Sequence, residues 1–141
     1  MDVENHVYPP RSRVEALLAD DSADPVVMLN LLKFREKAVY ADGRASDLTG
    51  REAYNLYGAA MQKIIEDNGG QMLFGGDIAS VVIGEVGDVW DTCLLVEYPS
   101  AAAFATIVAS PEVMEVSVHR VAGLEGQLLI RVAQRDGILT S

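Results

Sequence analysis

An antiparallel sheet with helices packed on one of its faces, an α+β fold, is what this chain predicts. Three observations lead there. Its 141 residues are 50% hydrophobic and 23% charged, the length and composition of one domain with a real core. Apolar spacing switches between the strand period of 2 and the helix period of 3.6 in the order strand, helix, strand, strand, helix, strand. The strand segments also carry large aliphatic residues on both parities, so neither face of the sheet is polar.

The elements follow in order. Ser12 and Glu15 have the spacing of a capping box, which predicts a short helix through about Ala19. DDSADP breaks it, and Pro25 leads into PVVMLNLLKFR, whose core Val26 to Phe34 is too short for a typical helix and reads as the first strand. The segment from Glu36 to Leu48 reads as a loop, a candidate lid, turning at Asp42-Gly43. Thr49 and Glu52 form a second capping box, and Ala53, Tyr57, Ala60, Met61, Ile64 and Ile65 then recur at helical spacing as far as Gly69-Gly70. A second strand is expected over Asp77 to Gly84, a hairpin around Gly87-Asp88, and a third strand over Asp91 to Tyr98. Ser100 caps a helix to about Ala109, and Ser110-Pro111 restarts it to about Ala122. Gln127 to Ala133 is the fourth strand. Three segments result: an extension over 1–24, a domain over 25–135 and a tail over 136–141. This βαββαβ order is the ferredoxin-like pattern, with the first and third strands expected as a central, parallel pair.

Charge and cysteine content narrow the partners. A net charge of -10 argues against nucleic acid and anionic membrane, which need clustered Lys and Arg. No apolar run approaches a membrane span or a signal-peptide core, so a cytoplasmic location is expected. The lone Cys93 allows no internal disulfide, and with His6 and His119 as the only histidines no Cys/His metal site is expected. P-loop and nucleophile-elbow patterns are absent as well, so no cofactor is expected.

Strand parity divides the candidate core. Val26, Met28, Asn30, Leu32 and Phe34 form one set and Val27, Leu29, Leu31 and Lys33 the other. Matching charges across strands groups Lys33 with Glu97 and Arg131, and leaves Leu94, Val96, Tyr98, Leu128, Ile130 and Val132 with Asn30 on the helix side. A Lys33–Glu97 pair at partial exposure is worth roughly 0–1 kcal/mol. The other face still bears Val27, Leu29, Leu31, Leu95 and Leu129, a patch that predicts a homodimer through sheet faces.

Several short stretches stand in a telling order: PVVMLNLLKFR, GREAYNLYG, GG ahead of the second strand, VWD, VEYPSAAAF, and SPEV before HRVAGLEGQLLI. Together they resemble the bacterial "domain of unknown function 1330" family, of the dimeric α/β-barrel superfamily, over roughly Val26 to Val132. The resemblance implies the ferredoxin-like fold, a dimer, and a pocket between sheet and helices. It implies no established activity, since the wider superfamily spans cofactor-independent monooxygenases, lactone isomerases, haem-handling proteins and inert stress-related modules.

A few residues remain as candidates for chemistry. Asn30, an amide in an apolar strand, needs a partner, either a ligand or a backbone group. Tyr57 falls within the apolar helix stripe beside Tyr54; each is a core residue or a pocket-lining phenol. His119 is either the domain's natural acid/base or the partner of Glu115 four residues earlier. Arg120 anchors a carboxylate, covers a helix end or forms a salt bridge across the dimer. Trp90-Asp91 reads as a pin for the hairpin or the dimer edge, and Gly75-Gly76 as a bulge or turn. Three functional readings stay open. One is a small-molecule binder, with Asn30, Tyr57 and Arg120 contacting a small organic acid. Another is a cofactor-independent oxygenase or isomerase acting on a small organic or aromatic acid, using His119 or Tyr54 for proton transfer and Arg120 for charge. The last is an interaction module with no ligand site.

Overall fold

The computed structural model describes residues 3–134, so the tail expected over 136–141 lies outside the described residues. The elements are α1 (Arg11–Ala19), β1 (Val26–Phe34), α2 (Gly50–Asp67), β2 (Gln71–Asp77), β3 (Thr92–Tyr98), α3 (Ala101–Val108), α4 (Pro111–Gly123) and β4 (Leu124–Val132). They form an open four-stranded sheet ordered β2-β3-β1-β4, a ferredoxin-like α+β fold. No single helix among the described residues is long and apolar enough to cross a membrane.

All three pairings are antiparallel, including β1 with β3, which corrects the parallel pair expected from sequence. The reason is connectivity. Helix α2 returns the chain so that β2 runs with β1, and the hairpin then reverses it, so β3 must oppose β1. Glu97 accordingly stands opposite Val27, far from Lys33. Lys33 instead reaches Asp91, 3.4 Å away, and donates to the Val89 carbonyl.

Helix starts follow local chemistry where a cap side chain is in place. Thr49 accepts from the Glu52 amide, and the Glu52 carboxylate accepts from the Thr49 amide. Ser100 and Ser110 cap α3 and α4, with Pro111 in the first turn. The box expected at Ser12 does not form: α1 begins at Arg11 after Pro10 with no side-chain cap, and none of its residues is buried.

Strand β2 also departs from expectation. The segment from Asp77 to Gly84 is mostly the outer part of a long loop, where Val82 and Ile83 are 90% and 94% exposed. β-branched composition does not make a strand without a partner, and β3 pairs with Gln71–Asp77. Gly69, at φ 85°, turns the chain from α2 straight into β2. The bulge lies at the register shift between Met72 and Phe74, and Gly75 and Gly76 are ordinary ladder residues. Asp91 pins the loop's base by accepting from the Phe34 amide at 2.8 Å and donating its own amide to Leu32.

Register corrects the parity of β4. Leu128, Ile130 and Val132 stand opposite Leu31, Leu29 and Val27 on the uncovered face, while Gln127, Leu129 and Arg131 accompany Leu32, Asn30 and Met28 toward the helices. Charge matching misled because Arg131 is paired with Asp20, ahead of β1, at 3.0 Å. The uncovered face is thus more apolar than expected.

Two glycines set the helix layer. The Arg35 amide donates to the Gly123 carbonyl and the Gly50 amide to the Arg35 carbonyl, stitching the end of β1 to the start of α2 and the end of α4. A Cβ on Gly50 would collide with the Arg35 carbonyl oxygen, and one on Gly123 with the Gly50 carbonyl oxygen. Ala53 and Ala122 beside them are fully buried. Gly58, by contrast, has ordinary space around it.

Candidate functional site

Away from that junction, the helix layer stands off the sheet. A cleft of about 890 Å³ lies between the helix-facing side of β1 and β4, helices α3 and α4, and the segment around and before α1. Most of its wall is apolar, with Met28, Phe104, Val108 and Val113 at the end where α4 begins.

The other end is polar and built as a chain of donors. Arg120 Nη1 donates to Gln127 Oε1 at 3.1 Å, Gln127 Nε2 donates to Asn30 Oδ1 at 3.0 Å, and Asn30 Nδ2 donates to the Met28 carbonyl at 3.2 Å. Asn30 is 8% exposed, and its amide is engaged on both sides. Its partners are therefore protein groups, and it orients Gln127, which in turn orients Arg120. Gln127 escaped the sequence reading, although it shows the same signal as Asn30, an amide in an apolar strand.

Arg120 is half-buried, and among the described residues no carboxylate lies within ion-pairing distance of it. Arg131, also on the cleft, is neutralised by Asp20. The nearest π contact of Arg120 is the Tyr8 ring, 5.8 Å away.

Three phenols gather beside this chain. Tyr57 and Tyr98 border the cleft, and both join Tyr54 and Asn30 around a side chamber of about 50 Å³. The rings of Tyr54 and Tyr57 pack 5.4 Å apart, and Phe34 packs on Tyr54 at 5.5 Å. Burial pushes all three hydroxyls well above the usual phenol range, and Arg120 partly offsets this at Tyr54 and Tyr57. They stay protonated at neutral pH and serve as hydrogen-bond donors; a phenol shifted this way is a poor proton shuttle for Tyr54's expected role.

His119 does not border the cleft. Its Nδ1 lies 2.7 Å from the Tyr40 hydroxyl, which donates when Nδ1 is unprotonated, and the rings meet edge-on. The expected Glu115 pairing does not form among the described residues. Tyr40 is buried yet borders the cleft, so it stands between His119 and any occupant. No sequence signal marked Tyr40; it sits in the stretch read as a loop. That stretch is anchored: the Ala38 amide donates to Leu48 and the Val39 amide to Ala122.

The structure thus brings Asn30, Tyr57 and Arg120 to one cleft, puts Tyr54 on the side chamber, and sets His119 behind Tyr40.

Comparison with known proteins places this arrangement in context. The family model described as "Domain of unknown function (DUF1330)" matches residues 38–132. The crystal structure of RPA0582, a protein of unknown function from Rhodopseudomonas palustris, is 33% identical with a TM-score of 0.84, covering 95% of this chain and 100% of that one. The hydroxynitrile lyase of Passiflora edulis shares the fold alone, at 12% identity and a TM-score of 0.57, over 83% of this chain and 99% of that one. No curated protein matches the chain.

Proposed function

This chain belongs to the DUF1330 family, and from that premise we propose that it is a small-molecule-binding protein working as a homodimer. The observation that carries the reading is the convergence of Arg120, Tyr57 and the Asn30–Gln127 pair on one apolar-walled cleft. Its 890 Å³ lies within the ~300–1,000 Å³ of ligand sites, which are mostly apolar with a few placed polar groups.

Self-association rests on the uncovered sheet face. Val27, Leu29, Leu31, Leu95, Leu128, Ile130 and Val132 form a continuous aliphatic surface there, with Phe74 exposed at the β2 edge. At about 25 cal/mol per Å², keeping such a surface from water is worth several kcal/mol, and a second copy of the same sheet is the simplest cover.

A second reading, a cofactor-independent enzyme of oxygenase or isomerase type, is favoured by the Tyr40–His119 hydrogen bond. Tyr40 would present the proton and His119 would hold or return it.

Native mass spectrometry of the purified full chain tests the binding reading and the dimer together. The expected species is a pair of 15.2 kDa chains carrying a small organic adduct. A bare single chain, with no melting shift across a screen of small acids and neutral apolar compounds, would sink both.

A further inference from the structure

We infer that the cleft takes an amphipathic monocarboxylate, a single acid group on a long or polycyclic hydrocarbon body, with the carboxylate held by Arg120. The inference rests on the binding reading above and narrows it: the small organic acid expected from sequence is too small for this site.

Charge supplies the first argument. The chain has 21 acidic residues against 11 basic ones, yet among the described residues none sits within ion-pairing reach of Arg120. A half-buried guanidinium facing an apolar cleft without a counter-ion is an anion site, because desolvating a cation without compensation is unfavourable. Other charges around the cleft are already served. Arg131 is paired with Asp20 and Asp42 with Arg44, while Glu4 and Arg13 are exposed to solvent.

Geometry supplies the second. Arg120 has donors left after its bond to Gln127, whose orientation Asn30 fixes, so the guanidinium is held before any ligand arrives. Tyr57 adds a protonated phenol at the same end. From Arg120 the wall follows α4 back to Val113, about 10 Å at the rise of a helix, and meets Met28, Phe104, Val108 and Leu17. The charged groups beside that path are Arg13, exposed one turn before Leu17, and Arg131, opposite Met28 and paired with Asp20. An acid of a few carbons would leave most of the 890 Å³ wet, whereas a hydrocarbon body of ten or more carbons would cover the apolar wall.

The test uses the intact chain and a neutral fluorescent reporter, N-phenyl-1-naphthylamine, displaced by dodecanoate, dodecanol and butyrate at neutral pH. Dodecanoate should displace it at concentrations about tenfold or more below dodecanol, the preference a charge-assisted hydrogen bond confers, and butyrate should not compete. Arg120→Met should bring dodecanoate to the level that dodecanol shows on the same variant, and Arg120→Lys should restore part of the difference. Equal displacement by acid and alcohol, or effective competition by butyrate, would overturn the inference while leaving the binding reading intact. Failure of both the reporter and dodecanol to bind would overturn the two together. Should Arg120→Met not fold, the acid-to-alcohol ratio of the unaltered chain decides.

Discussion

The two ends of the helix–sheet layer are built on opposite plans. At one end Gly50 and Gly123 let α2, α4 and the end of β1 meet backbone to backbone, and Leu32, Leu124, Ala53 and Ala122 are sealed at 0% exposure. At the other end α3, α4 and the N-terminal segment stand away from β1 and β4 and enclose the cleft. Small residues close the first end, while large, shape-poor ones such as Met28, Met61 and Phe104 border the second. The contrast teaches that the backbone-sealed junction is separate from the cleft, where Met28, Met61, Phe104 and Val113 belong to the main buried cluster and so pack the core and line the site at once. The glycine junction holds the helices at a fixed height, and the cleft is the space that height leaves further along.

That separation is easiest to break at the junction. Gly123→Ala or Gly50→Ala should destabilise the chain by about 3 kcal/mol or more, because the added methyl meets immobile backbone carbonyls rather than a yielding side chain. Urea denaturation reads this directly; a loss under about 1 kcal/mol would mean the junction relaxes and sets nothing.

A smaller and more diagnostic effect comes from matched truncations at the two ends. Leu32→Ala, at a fully buried position, should lose about 2–5 kcal/mol. Val108→Ala, on the rim of the cleft, should lose under about 1 kcal/mol, since its side chain already borders open space. Equal losses in denaturant melts would show that both ends are packed alike.

The gentlest probe is pH. Tyr54, Tyr57 and Tyr98 have hydroxyls raised above their ordinary value of 10.0 by burial. The sign follows from linkage: a raised folded-state value stabilises the protein fully below the unfolded value and less as pH climbs through the folded one. Stability should therefore be flat with respect to these phenols through neutral pH and decline above about 10. Replacing Tyr98 with Phe should lessen that alkaline decline; an unchanged slope in melts between pH 9 and 11 would mean the phenols are not shielded.

Much of this is legible in the sequence. The Thr49–Glu52 box, the Ser100 and Ser110 caps and the period of α2 were local signals that local structure obeyed. Asn30 announced itself as an amide among aliphatic neighbours, and Arg120 and Tyr57 were singled out by type and position. What failed had a common cause. β2 was drawn toward the most β-branched segment, although strand identity depends on the partner that β3 offers. Arg131 was grouped with Lys33 and Glu97 by charge, although its partner Asp20 comes from a segment with no strand pattern. Tyr40 carried no periodic signal, and its meaning arises from a residue 79 positions away.

By itself, the sequence determined the element order, the caps of α2, α3 and α4, the two-sided greasiness of the sheet and the presence of a polar marker within β1, because each depends on neighbours within a few residues or on side-chain parity along one strand. Only the tertiary structure decided the strand directions, the face on which β4 presents Gln127 and Arg131, and the joining of Arg120 to Asn30 through Gln127. Those depend on register and on contacts between distant segments, and nothing short-range encodes where a helix will come to rest over a sheet or how much room it will leave beneath.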